Sequence, residues 1–377
     1  MNINIDELYQ QYKNNNPVIP FSHKVIDFLI NAGYITVLFR KPGLFLSLMK
    51  NMLLTKLLRV KNTTFRTVTF SLDYRCNYNC SHCNIALMER DDKEKMQPSD
   101  YKRVDMDLSK LGVLSYAFTG GEPLMFKKQL FEILSLLDVK KKLVLIQTNA
   151  SILDEKLAVQ LQRAGVDVLA ISMDKMHSIN RTKKDEIDFE WYDRILEIIK
   201  KSKLQLHLLY VVDKENLKNG EFEKVMNYCF KNKVLLIFNP TVPEGNWKDR
   251  EDVLISEDDS NFVRFIEKNT PYARTDIKSN LKGYGCPAFK EKLYITPYGD
   301  VQGCTFLQFS IGNVKTENIG EILKRVSKLP YFSKYHGMCP AAEDREFIKQ
   351  YSDAMSKTDK YPLELENYVE VLNTGIR

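Results

Sequence analysis

Three cysteines, Cys76, Cys80 and Cys83, fall in the stretch Leu72-Asp73-Tyr74-Arg75-Cys76-Asn77-Tyr78-Asn79-Cys80-Ser81-His82-Cys83. Three thiolates at C-x3-C-x2-C spacing can grip one iron–sulfur cube from a single loop. A cube with four irons then keeps one iron open, and an open iron is where chemistry can happen. The triplet therefore points to an enzyme. Zinc is the main rival, but structural zinc wants four closed ligands, usually as two separated pairs. No partner pair stands near the triplet, and His82 would have to fold back over its own loop to serve as a fourth ligand.

The elements that must position these residues begin near residue 66. Short β-branched or aromatic runs at Thr67–Leu72, Leu114–Phe118, Leu143–Gln147, Val168–Ser172, Gln205–Val212 and Val234–Phe238 read as strands. Between them, amphipathic stretches at about 99–111, 127–138, 152–164, 191–202 and 221–232 read as helices. Ser151 with Asp154 looks like a variant capping box opening the third helix. Gly112 and Gly165 stand where helix C-caps are expected. Strands alternating with helices imply a parallel sheet with crossover helices. Chemistry in such folds gathers at the C-terminal ends of the strands. Each motif in this chain follows a strand.

Phe118-Thr119-Gly120-Gly121-Glu122-Pro123-Leu124 follows the second strand, Gln147-Thr148-Asn149-Ala150 the third, and Ile171-Ser172-Met173-Asp174 the fourth. With the cysteine triplet, this ordered set resembles the radical S-adenosylmethionine (radical SAM) enzymes over roughly residues 66–245. His82 fills the position usually held by an aromatic, and Ala150 replaces the usual glycine. The resemblance implies an α/β fold: a partial (β/α)6 TIM-like barrel. It implies that Cys76, Cys80 and Cys83 hold a 4Fe–4S cluster. Gly120, Gly121, Glu122 and Pro123 would hold the methionine amino group of SAM, with Thr148 and Asn149 beside them. Ser172 and Arg181 would bind its carboxylate. Asp174 and His177 would face SAM or the substrate, or be structural. Adenine would stack near Tyr78 or His82, with Val211, Asn216, Asn239 and Pro240 as further candidates. The implied chemistry is reductive cleavage of SAM to methionine and a 5′-deoxyadenosyl radical, which takes a hydrogen atom from a substrate C–H bond. The electron would come from a low-potential donor of flavodoxin or ferredoxin type.

Cys286, Cys304 and Cys339 form a second set. Cys286 precedes and Cys304 follows a Pro297-Tyr298-Gly299-Asp300 turn between two strand-like runs. A hairpin there would bring the two cysteines close. Gly312-Asn313-Val314 follows, with Asn313-Val314 reading as a short strand that runs into a helix over Asn318–Leu329, and Cys339 comes later. This order resembles the SPASM and Twitch extensions, which implies a second, auxiliary 4Fe–4S cluster in a small C-terminal α+β domain. A full SPASM region has about seven cysteines, and this chain offers three. The fourth iron would be open or held by His336, Glu343 or Asp344. Cys229 lies on the apolar face of a helix and reads as core.

The chain has 377 residues, room for two domains. The expected division is an N-terminal helical extension over 1–62, the barrel over 63–250, the auxiliary-cluster domain over 251–350, and a charged, surface-covering tail over 351–377. The net charge of +6 is mild and scattered, so no nucleic-acid partner is indicated. Seven cysteines at this spacing do not form a secreted disulfide framework, and the polar, acidic N-terminus is no signal peptide. A reducing cytoplasm is the consistent home. The stretch from Lys41 to Lys61 is amphipathic and basic. It suits peripheral membrane contact, a lid over the barrel, or, more simply, a helix packed on the barrel with snorkelling lysines. The substrate expected from this stretch is a small molecule or lipid-like compound. The alternative is a ribosomally made peptide or protein side chain, modified by cross-linking, oxidation or epimerisation. A non-catalytic iron–sulfur scaffold would have no need of the Gly-Gly-Glu-Pro and Ser-x-Asp motifs.

Overall fold

The computed structural model describes residues 3–14, 34–53, 67–89, 92–175, 186–277, 285–356 and 360–374. Its centre is a nine-stranded sheet in the order β7-β6-β5-β4-β3-β2-β1-β8-β9. Strands β1 (Thr67–Ser71), β2 (Ser115–Thr119), β3 (Leu143–Thr148), β4 (Val168–Ser172), β5 (Gln205–Val212) and β6 (Leu235–Pro240) match the six sequence expectations to within two residues at each end. All pair in parallel with their neighbours. Crossover helices α3 (Pro98–Lys110), α4 (Lys127–Leu136), α5 (Glu155–Arg163), α6 (Phe189–Ser202) and α7 (Glu221–Asn232) lie between them. The sheet does not close: its edges are β7 (Ala273–Thr275) and β9 (Val301–Gln302). This is the α/β partial barrel expected, with a helix at Glu257–Asn269 and β7 adding a seventh unit beyond residue 250.

Local chemistry explains the boundaries. Gly112 and Gly165 follow their helices at φ 73° and 98°, a region open to glycine at little cost. The start of α5 differs from the expectation. Its N-cap is Asp154, whose carboxylate accepts from Leu157 N, while Ser151 belongs to the preceding turn. Asp caps as well as Ser does, so the pattern was read one turn early.

The C-terminal region is stitched into the barrel. Strand β8 (Lys292–Ile295) pairs in parallel with β1, from Thr67↔Lys292 to Phe70↔Ile295, and forms the expected hairpin with β9. The tail is not a surface cover. Tyr351, Tyr361, Leu363, Leu365 and Tyr368 are buried, and β11 (Leu363–Glu364) pairs with β10 (Phe309–Ser310). Tyr368 stacks on Phe309 at 4.0 Å. The charges of this tail masked a core-forming aromatic pattern. Asn313 makes an isolated bridge to Asp300 rather than a strand, and the helix after it, Ile319–Lys324, runs on as a 3-10 turn over Arg325–Lys328, close to the expected range.

The described N-terminal residues are helical: α1 (Ile5–Lys13), residues 34–40 and α2 (Pro42–Met52). Lys41 fastens this segment. Its ammonium donates to Lys142 O (2.9 Å), Gly165 O (2.7 Å) and the Asp167 carboxylate. These groups lie just before β3 and β4 begin, so α2 sits at the N-terminal end of the barrel. Tyr34 adds a second clip, its hydroxyl 2.8 Å from Nε2 of the buried His207 on β5.

Candidate functional site

The cysteine loop leaves the C-terminal end of β1. Its first anchor is Asp73, which is 3% exposed and binds Arg75 N, Arg75 Nε, Arg75 Nη2 and Lys95 Nζ, each at 2.9 Å. Burial works to raise this carboxyl's pKa, but Arg75 and Lys95 outweigh it and hold it below the usual range. The Gly-Gly step packs against the same loop. Gly121 N donates to Asp73 O at 2.7 Å and Glu122 N to Arg75 O at 3.1 Å. A Cβ on Gly121 would lie 2.1 Å from Arg75 O, and one on Gly120 2.2 Å from Asp73 O. These glycines therefore admit the backbone of the cysteine loop, a role the sequence did not reveal.

Glu122 is fully buried. Its carboxylate accepts from Leu124 N (2.9 Å), Thr148 Oγ1 (2.6 Å) and Asn149 N (2.7 Å). Burial pushes its pKa up, and these bonds pull against that. The residue ties the end of β2 to the end of β3, and an ammonium group would have to share it. Pro123 opens a short turn beside it in which Pro123 and Leu124 are buried. Ala150, in the place of the usual glycine, sits at φ 55°. Thr148 Oγ1 accepts from Ala150 N at 2.9 Å, which supports this strained turn.

Asn149 reaches the first cysteine. Its amide donates to Asn77 Oδ1 at 3.0 Å and lies 3.8 Å from Cys76 Sγ, while Tyr78 N donates to the same sulfur at 3.4 Å. Cys83 receives backbone N–H groups of Ile85 and Ala86. Ser172 and Asp174 are joined through Tyr192, whose hydroxyl donates to Ser172 O and accepts from Asp174 N, both at 2.9 Å. Asp174 also faces His82, 3.3 Å from Nδ1. Cys80, His82 and Asp174 offer ligand atoms within 4.8 Å of one another. So the third and fourth strand ends both converge on the cysteine loop. Arg181 and His177 lie outside the described residues. Asn216 closes the turn after β5, donating to Val211 O at 2.9 Å, and Asn239 accepts from Asp276 N at 3.2 Å. Pro240 ends β6.

A further element completes the loop's enclosure. After β6, Asn246 N donates to Cys83 O (3.0 Å) and Asn246 Nδ2 to Cys80 O (2.8 Å). A Cβ on Gly245, at φ 60°, would lie 2.0 Å from Cys83 O. Trp247 stands 5.9 Å from the His82 ring. Gly245-Asn246-Trp247, a few residues past the end of the sixth strand, was the signal available in the sequence. Glu244, just before it, is buried, and burial pushes its carboxyl to about 8.

The second cysteine set gathers around the β8–β9 hairpin. Cys286 N donates to His336 O at 2.7 Å, and Gly285 at φ 128° permits that approach. Electrostatic coupling links Cys339 to both Cys286 and Cys304. The candidate fourth ligands are otherwise engaged. His336 stacks on Tyr331 at 4.1 Å and meets Tyr331 O at 2.7 Å. Glu343 pairs with Arg264 and accepts from Cys339 N at 2.7 Å. Asp344 caps the helix Arg345–Met355 and accepts from Tyr331 OH at 2.6 Å. Cys229 is buried in the core, as expected.

The two sets touch. Asn84, next to Cys83, donates through Nδ2 to Thr305 O (3.0 Å) and Oγ1 (2.8 Å), next to Cys304. Gln308 Nε2 returns a bond to Asn84 O at 2.6 Å.

Both sets suit anionic clusters. Burial pushes the thiols up, Cys80 and Cys304 to about 12, so ionising them needs positive partners. The first set supplies N–H donors at Cys76 and Cys83. The second supplies Lys290, whose buried ammonium has no hydrogen-bond partner, lies over the Phe332 and Tyr335 rings, and is close enough to Cys286 to interact with it. Both polar atoms of the Gln302 amide, two residues before Cys304, are likewise buried without a partner. A buried ammonium without a hydrogen bond, beside the Cys286 thiol, is costly until negative charge arrives.

A parallel half-barrel with three cysteines on its first loop and SAM-type motifs on the next three defines the radical SAM class. The family model described as the radical SAM superfamily matches residues 71–229, and that of the SPASM iron–sulfur cluster-binding domain matches residues 286–341. The chain belongs to the radical SAM enzymes that carry a C-terminal SPASM region, with a SAM-binding 4Fe–4S site and an auxiliary cluster site. It is 25% identical over 173 residues to the Fe-coproporphyrin III synthase of Methanosarcina barkeri, covering 43% of each chain. It is 28% identical over 151 residues to the PqqA peptide cyclase of Granulibacter bethesdensis, covering 39% of this chain and 40% of that one. The chain thus spans about two fifths of the length of these curated relatives. Streptococcus suis SuiB, solved with its precursor peptide SuiA, shares the fold at TM-score 0.54 and 17% identity, over 71% of this chain and 67% of that one.

Proposed function

We propose that this protein uses radical SAM chemistry to modify a peptide or protein side chain. The observation that carries this reading is the placement of the basic amphipathic segment. It was the sequence's argument for a hydrophobic small substrate near the reaction centre. Lys41 pins its described part at the N-terminal end of the strands, away from the cysteine loop at the C-terminal ends. Two further points support a peptide. One relative is a peptide cyclase. The sheet also does not close between β7 and β9, where an extended chain would enter.

The residues divide the work as follows. Cys76, Cys80 and Cys83 would hold the first cluster, and Cys286, Cys304 and Cys339 the auxiliary one. When bound, the cluster and SAM supply hydrogen-atom abstraction from an unactivated C–H bond. Asn149 and the Tyr78 N–H hold the Cys76 sulfur in place. Asp73, Glu122 and Asn246 fix the loop against three different strand ends, so the reacting groups are preorganised. Gly120 to Pro123, Ser172, Asp174 and Arg181 are the proposed SAM contacts. Among the described residues, the three candidate fourth ligands are committed to other bonds, which favours an auxiliary iron open to an outside ligand. Electrons would come from a flavodoxin- or ferredoxin-type donor. A small-molecule substrate is the second reading, favoured by the likeness to Fe-coproporphyrin III synthase.

The test is anaerobic reconstitution, addition of SAM and reductant, and assay of 5′-deoxyadenosine with and without peptides encoded beside the gene. The expected result is 5′-deoxyadenosine formation stimulated by one peptide, with that peptide losing hydrogens by mass spectrometry. Stimulation by a small metabolite fraction, with every peptide unchanged, overturns the peptide reading.

A further inference from the structure

We infer that residues 35–53 form a docking face for the surface of an anionic lipid bilayer. Six of the ten large apolar side chains exposed among the described residues fall here: Ile35, Phe39, Phe45, Leu46, Met49 and Leu53. Phe39 is 84% exposed and Leu46 66%. They are not scattered. At the helical advance of about 100° per residue, Phe45, Leu46, Met49 and Leu53 fill one arc of about 100°. Ile35 and Phe39 repeat the pattern one helix earlier. Leu44 and Val37 point inward, 3% and 1% exposed, so these helices already have a separate face for the barrel. Among the described residues, the apolar stripe stays exposed.

Charge selects the occupant. The sequence has no Asp or Glu between Asp27 and Asp73, yet seven Lys and Arg. Lys50 is exposed and follows Met49 by one position, which sets it on the stripe's edge, while Arg40 is shared with Lys203 O and the Asp167 carboxylate. Lys140, in the turn against which α2 packs, is exposed as well. Apolar side chains flanked by bases on an acid-free segment suit the headgroup region of an anionic bilayer. A second copy of this chain suits it poorly, because a two-fold contact would set those bases against their own images. No helix among the described residues is long and apolar enough to cross a membrane, so the contact is peripheral. The face lies at the barrel end away from the cysteine loop, so docking leaves the reaction centre turned away from the lipid. This inference does not depend on the identity of the substrate.

The test uses the full reconstituted protein and sedimentation with vesicles of phosphatidylglycerol and phosphatidylcholine, against phosphatidylcholine alone. Binding should favour the anionic vesicles at least ~tenfold and weaken with salt. Lys50→Gln should weaken it about fivefold. The triple variant Phe39→Ser/Leu46→Ser/Met49→Ser should weaken it at least ~tenfold while keeping the iron content and SAM cleavage of the parent. Failure of the parent to bind anionic vesicles overturns the inference, as does undiminished binding by the triple variant. So does a parent dimer that the triple variant dissolves without any vesicle binding, or binding transferred to an acidic protein.

Discussion

At the scale of single residues, the site rests on contacts that admit little change. Gly121 faces Arg75 O at a distance no side chain tolerates. Gly121→Ala should therefore displace the cysteine loop and cost about four irons per chain, while circular dichroism stays close to the parent. Full iron content in that variant would show that the loop can yield. Lys290 offers a complementary test. If its orphaned ammonium faces the auxiliary cluster, Lys290→Met should lower that cluster's reduction potential on the order of 60 mV, a tenfold change in a one-electron equilibrium. The measurement is a redox titration followed by electron paramagnetic resonance in a Cys76→Ala/Cys80→Ala/Cys83→Ala background. An unchanged or raised potential would assign Lys290 to packing alone. Cys76, Cys80 and Cys83 stand out by their spacing and Gly120, Gly121 and Glu122 by the resemblance of their motif, although the packing of both glycines against the cysteine loop was hidden. Lys290, Asn84 and Asn246 could not be picked out, because lysine and asparagine are common in any surface loop, and only the folded chain shows which lie beside the cysteine segments.

Among elements, the strands and crossover helices were legible to within a few residues because their apolar periods differ, near two for strands and 3.6 for helices. The tail was misread because its buried face is aromatic rather than aliphatic and is diluted by exposed charges. The attachment of the N-terminal helices was invisible in sequence, since it depends on the pairing of residues far apart. His207 lies at one such attachment. Burial, aided by the positive charge of Arg274, depresses its pKa from 6.5 to about 4. The unfolded chain therefore binds a proton below pH 6.5 that the folded chain refuses until about pH 4. Stability is full above pH 6.5 and falls as pH drops through that window, by about 2 kcal/mol at pH 5. Denaturant midpoints at pH 7 and pH 5 should converge in His207→Gln relative to the parent. An equally steep loss in the variant would place the titration elsewhere.

For the molecule as a whole, the seam between β1 and β8 matters most. The region that carries the auxiliary cysteines is not appended to the barrel but shares its sheet. A chain ending at residue 276 would expose β1 as an unprotected edge, and such edges aggregate. It should be insoluble, whereas Cys286→Ser/Cys304→Ser/Cys339→Ser in the full chain should stay soluble with only the first cluster. A soluble, monomeric truncation would show that the barrel stands alone. The bond from Asn84 to Thr305 carries a consequence of another kind. It links the residue after Cys83 to the residue after Cys304. An electron tunnelling between the two metal centres thus has a route of two short peptide segments and one hydrogen bond. The side-chain amides of Asn84 and Gln308 carry that coupling, so Asn84→Ala/Gln308→Ala should slow electron exchange between the centres without removing iron from either.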